Sequence, residues 1–159
     1  MRAAAEYRRK TGVVDASGKR HKILAYLSLE PINPASLYAA MYIFGGVGLG
    51  LRFPASAMDQ FDAMQPWTVV PGSEIVGGHY VPIFSRRGGL VQGVTWGAIQ
   101  PMTEEFITTF ADEAIVYLTD EDLIDGKTLE GFDLAQLQAD LAALKGSPLQ
   151  TAPPSSTST

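Results

Sequence analysis

Apolar positions along this chain repeat with two periods, and the switches between them mark out the elements. Residues 23–29 alternate, with Ile23, Ala25, Leu27 and Leu29 against Leu24, Tyr26 and Ser28. That period of two predicts a strand covered on both faces. Glu30-Pro31-Ile32-Asn33-Pro34 breaks it, and Leu37, Ala40, Met41 and Phe44 then recur at helical spacing. A helix is predicted over 35–44, with Ser36 capping or beginning it and Gly45-Gly46 as its stop. Residues 47–53 (VGLGLRF) alternate glycine with apolar side chains, as in a buried strand with something packed closely on its glycine face. A short helix at residues 2–11 precedes all of this, Gly12 ends it, and a turn region fills 13–22. A helical turn is predicted at 55–61 and a loop at 65–76.

GGHYVPIF and GGLVQGVTWG are two short strand signals, each opened by Gly-Gly, with Arg86-Arg87-Gly88-Gly89 turning between them. They predict a β-hairpin. Residues 102–111 are predicted helical, with Thr103 as N-cap and Phe106, Ile107 and Phe110 as the apolar stripe. A strand follows at 113–119. Residues 133–144 are the strongest helical pattern, with Leu134, Leu137, Leu141 and Leu144 in register and Asp133 as cap. From Gly146 to Thr159 the chain is rich in Pro, Ser and Thr, which predicts a disordered tail. The reading is therefore one α+β domain over 1–145, an antiparallel sheet with packed helices, and a tail over 146–159.

Composition narrows the chemistry. The 159 residues are 46% hydrophobic, enough for one core, and the net charge is -5. An acidic chain argues against nucleic acid or an anionic membrane as partner. The exceptions are Arg8, Arg9, Lys10, Lys19, Arg20 and Lys22, which read first as solvated charge on a helix and a turn and otherwise as a small basic patch near the start. There is no cysteine, so no disulfide, thiolate metal site or cysteine nucleophile can arise within the chain. No apolar run is long enough to span a bilayer, and the first residues lack the apolar stretch of a signal peptide. The expected location is the cytoplasm of a host cell or a virion. No cofactor and no metal are expected.

His21 and His79 are the only histidines, and no HExxH, GxSxG, P-loop or dinucleotide fingerprint is present. Gly45-Gly46-Val47-Gly48 follows a helix and precedes a strand, the reverse of what a phosphate-holding helix N-terminus needs. His79 is the better candidate. It opens one arm of the predicted hairpin, and Trp96-Gly97 closes the other, so both can face one cleft. A general base needs such a partner to fix its tautomer. The alternative is a hydrogen-bonded structural histidine beside a core tryptophan.

The order of these signals resembles the second half of papain-like cysteine peptidases: helix, strand, loop, a Gly/Asp-His strand, a turn, and a strand ending in Trp-Gly. Here those are Ala35–Phe44, Val47–Phe53, Gly78-His79-Tyr80-Val81, Arg86–Gly89 and Val94-Thr95-Trp96-Gly97. The chain is also similar to small phage and prophage proteins of that fold, through Arg9-Lys10-Thr11-Gly12, Ile43–Gly46, Gly77–Pro82, Val94–Gly97 and Asp112–Ala114. The resemblance implies that His79 is a vestigial general base. Trp96, Gly78, Thr95 and Gln92 would support it. The position of the orienting Asn falls on Val94, which has no polar side chain, and Gln92 is a candidate substitute. It implies as well that the nucleophile-bearing half should lie before residue 1, so that the chain looks truncated or degenerate at its N-terminus.

The function expected from this is a catalytically inactive papain-like module acting in binding or assembly, with a protein or peptide partner and an oligomeric state left open. Two alternatives stand beside it. One is a hydrolase that takes its cysteine from another chain or uses a serine such as Ser73. The other is a virion structural or accessory protein.

Overall fold

The computed structural model describes residues 1–30 and 32–119, with 127, 131, 133, 135 and 136 beyond them. In chain order the elements are α1 (Arg2–Lys10), β1 (Val13–Val14), β2 (Arg20–His21), β3 (Ile23–Ser28), α2 (Pro34–Phe44), β4 (Val47–Pro54), α3 (Ala55–Asp62), β5 (Ile75–Arg87), β6 (Leu90–Thr95), β7 (Ala98–Met102), α4 (Glu104–Phe110) and β8 (Ala111–Thr119). The fold is mixed α+β. Six strands form one antiparallel sheet in the order β3-β8-β4-β5-β6-β7, and β1 and β2 pair as a separate small ribbon.

Alternation along the strands assigns the two faces. Val47, Leu49, Leu51 and Phe53 of β4 lie beside Ile83, Val81, His79 and Gly77 of β5. Nearly all the apolar members are buried, and with Val91, Met102, Ala114 and Val116 they form the core. α2, α3 and α4 contact the sheet and supply Leu37, Met41, Ala57, Phe106 and Ile107 to that core. The other face is covered in part by α1, which packs on β3. Tyr26 donates to Glu6, and the Arg8 guanidinium stacks over Tyr117.

Local chemistry explains most boundaries. Gly45 ends α2 in the left-handed conformation at φ 73°. The cap at its start is Asn33, not Ser36. Asn33 Oδ1 accepts from the Ser36 amide at 3.0 Å, while Ser36 Oγ accepts from the Asn33 amide, and Pro34 takes the first helical position. Thr103 caps α4 as expected, its hydroxyl accepting from the Phe106 amide at 3.1 Å. The phenol of Tyr80 fills the space over Gly48, which is the close packing that the glycine alternation of β4 foretold.

Three readings need correction. The turn region at 13–22 contains the β1–β2 ribbon, registered Val13↔His21 and Val14↔Arg20. The hairpin turn is shorter than 86–89, because Arg86 and Arg87 pair with Val91 and Leu90. Only Gly88 and Gly89 turn, both at positive φ. Residues 98–101, left unassigned above, and Met102, placed at the start of the helix, form the edge strand β7, and α4 begins only at Glu104. The expected helix over 133–144 lies largely outside the described residues, although Asp133 Oδ1 does accept from the Ala135 and Gln136 amides as a cap would. The 146–159 tail lies outside them entirely.

Candidate functional site

β5 and β6 bring His79 and Thr95 to one end of the sheet on its core face. β6 runs Val91, Gly93, Thr95 toward that face and Gln92, Val94 away from it, so alternation decides which side chain meets the histidine. Thr95 is 5% exposed, and its Oγ1 lies 2.7 Å from His79 Nε2. Among the described residues no other hydrogen bond reaches the imidazole, so Nδ1 is left unengaged. Gln92 is on the opposite face and donates to the Leu90 carbonyl at 3.2 Å. It does not orient His79. Val94 also points away and is exposed.

Trp96 follows Thr95 in a two-residue turn into β7, with Thr95 paired to Ala98. Trp96 has φ 46° and Gly97 φ 76°. A bulky side chain in the left-handed region is unusual and costs on the order of 1–2 kcal/mol. The indole is 48% exposed, and its buried side stacks on His79 at 4.7 Å between ring centroids and 20° between planes. Phe61 of α3 abuts it edge-on at 4.8 Å, and Phe53 at 5.8 Å. Phe53 and the fully buried Trp67 close around the imidazole from below, at 5.0 and 6.3 Å. Trp67 is itself fixed by its Nε1 donating to the Ala57 carbonyl at 2.8 Å.

Among the described residues the imidazole therefore has aromatic walls, a single hydroxyl partner and no charged neighbour. Burial alone holds its pKa below the ordinary histidine value, so it is neutral at physiological pH. Gly77, the core-face neighbour before His79, would meet nothing within 4 Å if it carried a Cβ, so the space next to the ring is open. Gly78 lies on the other face beside Arg52, and the nearest atom to a Cβ there, the Leu51 carbonyl oxygen, is at 4.0 Å. It supports the site only as backbone. Ser73, the candidate serine, accepts from the Ser56 amide at the start of α3 and makes no contact with His79.

What the arrangement offers chemically is an imidazole fixed through one nitrogen, with the second available as donor or acceptor, beneath an exposed indole. Among the described residues no group of three or more His, Asp or Glu side chains can hold a metal ion. No helix of the described residues is long and apolar enough to cross a membrane. A concavity of about 450 Å³ lies elsewhere, between Tyr38, Tyr42, Phe84 and Arg86 at the end of α2. Compared with known proteins, the chain matches no family model, no curated protein and no solved structure.

Sequence reasoning brought together His79, Thr95 and Trp96 but missed Phe61 and Phe53. The signal for Phe53 was present, since it shares the parity of Leu49 and Leu51 at the end of β4 where Gly77-Gly78 pairs. Phe61 had none, because it arrives from a separate helix.

Proposed function

We propose that the chain is a papain-like module that binds a polypeptide at its His79–Trp96 end and does not turn it over. The single observation that carries this is the half-built base. Thr95 holds His79 at Nε2 while Nδ1 faces no partner, under an indole kept half-exposed in an unfavourable backbone conformation. Strain of this kind persists where it serves a site. A thiolate nucleophile is missing because the chain contains no cysteine, and Ser73 is engaged at another element. An aromatic rim with one directional hydrogen-bonding group remains, which is the composition of a peptide-recognition surface.

Thr95 favours a second reading. An imidazole already oriented by a hydroxyl could act as general base toward a thiol brought by another chain, which keeps alive the hydrolase that borrows its nucleophile. The test is a casein and peptide-library assay with a thiol-directed activity probe on the purified chain, beside His79→Ala. No turnover and no labelling in either protein is the expected result. Turnover lost in His79→Ala would overturn the binding reading.

A further inference from the structure

The surface around His79 has a charge signature that its sequence neighbours share. From Phe53 to Ser85 the only charged side chains are Asp59, Asp62 and Glu74, and from Gly88 to Thr103 there are none. Among the described residues none of the three acids forms an ion pair. α3 carries Asp59 and Asp62 along the rim, Glu74 meets its first residue through Ala55, and Met64 and Trp96 stand at its far end. Met64 is 91% exposed and is the other non-glycine residue of the described chain at positive φ. Ile75, at the start of β5, is exposed as well. The rim is thus acidic and apolar, and the nearby cation, Arg52, lies on the other face of the sheet beside Gly78, where it donates to the Thr109 carbonyl at 2.8 Å.

The complementary surface lies at another corner of the same molecule. Between Glu6 and Lys22 there are six Lys and Arg residues against Glu6, which pairs with Arg9 and Lys10, and Asp15, which leaves the corner with a net positive charge. Tyr7, Val13 and Val14 expose their apolar side chains there. The end of α1 packs on the ribbon, where a Cβ on Gly12 would strike His21 and Lys22. This basic corner sits at the Ile23–Thr119 end of edge strand β3. The acidic rim sits at the opposite strand end, around β5 and β6. From β3 to β6 is four strand spacings, about 19 Å across the sheet, so the two surfaces cannot meet within one molecule.

We propose that the acidic, apolar rim of α3 and Trp96 receives the basic, apolar corner of a second copy of this chain. This names the partner of the binding end described above, and rests on that reading in treating the rim as a docking surface. Opposite charge sets the orientation, and Trp96, Met64 and Ile75 against Tyr7, Val13 and Val14 supply apolar burial. A two-fold pair makes the contact twice; a head-to-tail arrangement makes it once per molecule and continues.

The test is sedimentation velocity on the full chain over a concentration series. Association is expected, weakening about tenfold between about 50 mM and about 500 mM NaCl. Asp59→Lys/Asp62→Lys and Lys22→Glu should each be monomeric with unchanged Tm, and an equimolar mixture of the two should associate again. The hydrolytic assay reads turnover and sedimentation reads association, so a failure of the one and a failure of the other are separable. A wild type that stays monomeric at low salt overturns the proposal. So do charge-reversed variants that associate normally.

Discussion

Trp96 carries two opposed contributions in one residue. Its left-handed backbone is unfavourable for any side chain, while its ring is held by His79, Phe61 and Phe53. Replacing it separates them. Trp96→Ala loses the ring and keeps the strained φ, whereas Trp96→Gly loses the ring and releases the strain. We expect the Gly variant to be more stable than the Ala variant by about 1 kcal/mol in chemical denaturation, the reverse of their order in a helix. Equal stability, or a more stable Ala variant, would show that the turn is relaxed. His79 gives a second residue-scale expectation through its lowered pKa. The unfolded chain binds a proton at the ordinary histidine value and the folded chain only at a lower pH. Stability must therefore fall as pH drops from about 6.5 toward the folded pKa. Glu6, held down to about 2 chiefly by its hydrogen bond from Arg9, and Asp15, held well below the usual carboxylate range chiefly by His21, lose their contributions only at lower pH. The pH dependence of Tm should thus be flatter between pH 5 and pH 7 in His79→Gln than in the wild type, within about the span of one histidine titration. Parallel curves would mean that the imidazole is hydrated like an exposed one.

At the scale of elements, glycine has different meanings along the β5–β6 pair. A Cβ at Gly93 would lie 2.7 Å from Val81 Cγ1 and 2.8 Å from Met102 Cε, inside the core. Gly93→Ala should cost about 1–3 kcal/mol by overpacking. Gly78→Ala meets only open space on the far face and should change stability by less than about 0.5 kcal/mol. Urea denaturation of the pair checks both, and a costly Gly78→Ala would require a contact on that face that the fold does not contain. A sequence pattern cannot separate these two glycines, since both sit in runs of the same kind. It could read Gly45, Gly88 and Gly89, because each is punctuation between periods. Asn33 is legible in principle from Pro34 after it, and Ser36, three residues on, completes the capping box. β7 escaped for a physical reason. Pro101 donates no hydrogen bond, which demotes a strand unless it lies at an edge, and at this edge its carbonyl accepts from the Trp67 amide at 2.9 Å.

Across the whole molecule, the sheet order was beyond the sequence, because strands distant in the chain become neighbours: β8 inserts between β3 and β4. The hairpin that carries the site is local, and for that reason His79 and Trp96 could be paired from the sequence. Of the supporting residues that the resemblance implies, Thr95 meets the histidine, while the alternation of β6 sends Gln92, the candidate substitute for the orienting Asn, and Val94 to the opposite face. Among the described residues the acids and bases balance in residues 1–119, ten of each, so the net charge of -5 belongs to the residues after Thr119 and says little about either surface of the sheet. Polarity of the two corners, not the overall charge, governs what this fold can meet. The claim on which the account turns is that His79 is held at Nε2 by Thr95 and open at Nδ1. Long-range ¹H–¹⁵N NMR of the imidazole, titrated in the wild type and in Thr95→Val, measures this directly. The account predicts one His79 resonance set with a pKa below the ordinary histidine value, and a Thr95→Val change confined mainly to the Nε2 signal. A pKa at or above the ordinary value, with both nitrogens indifferent to Thr95→Val, would contradict it.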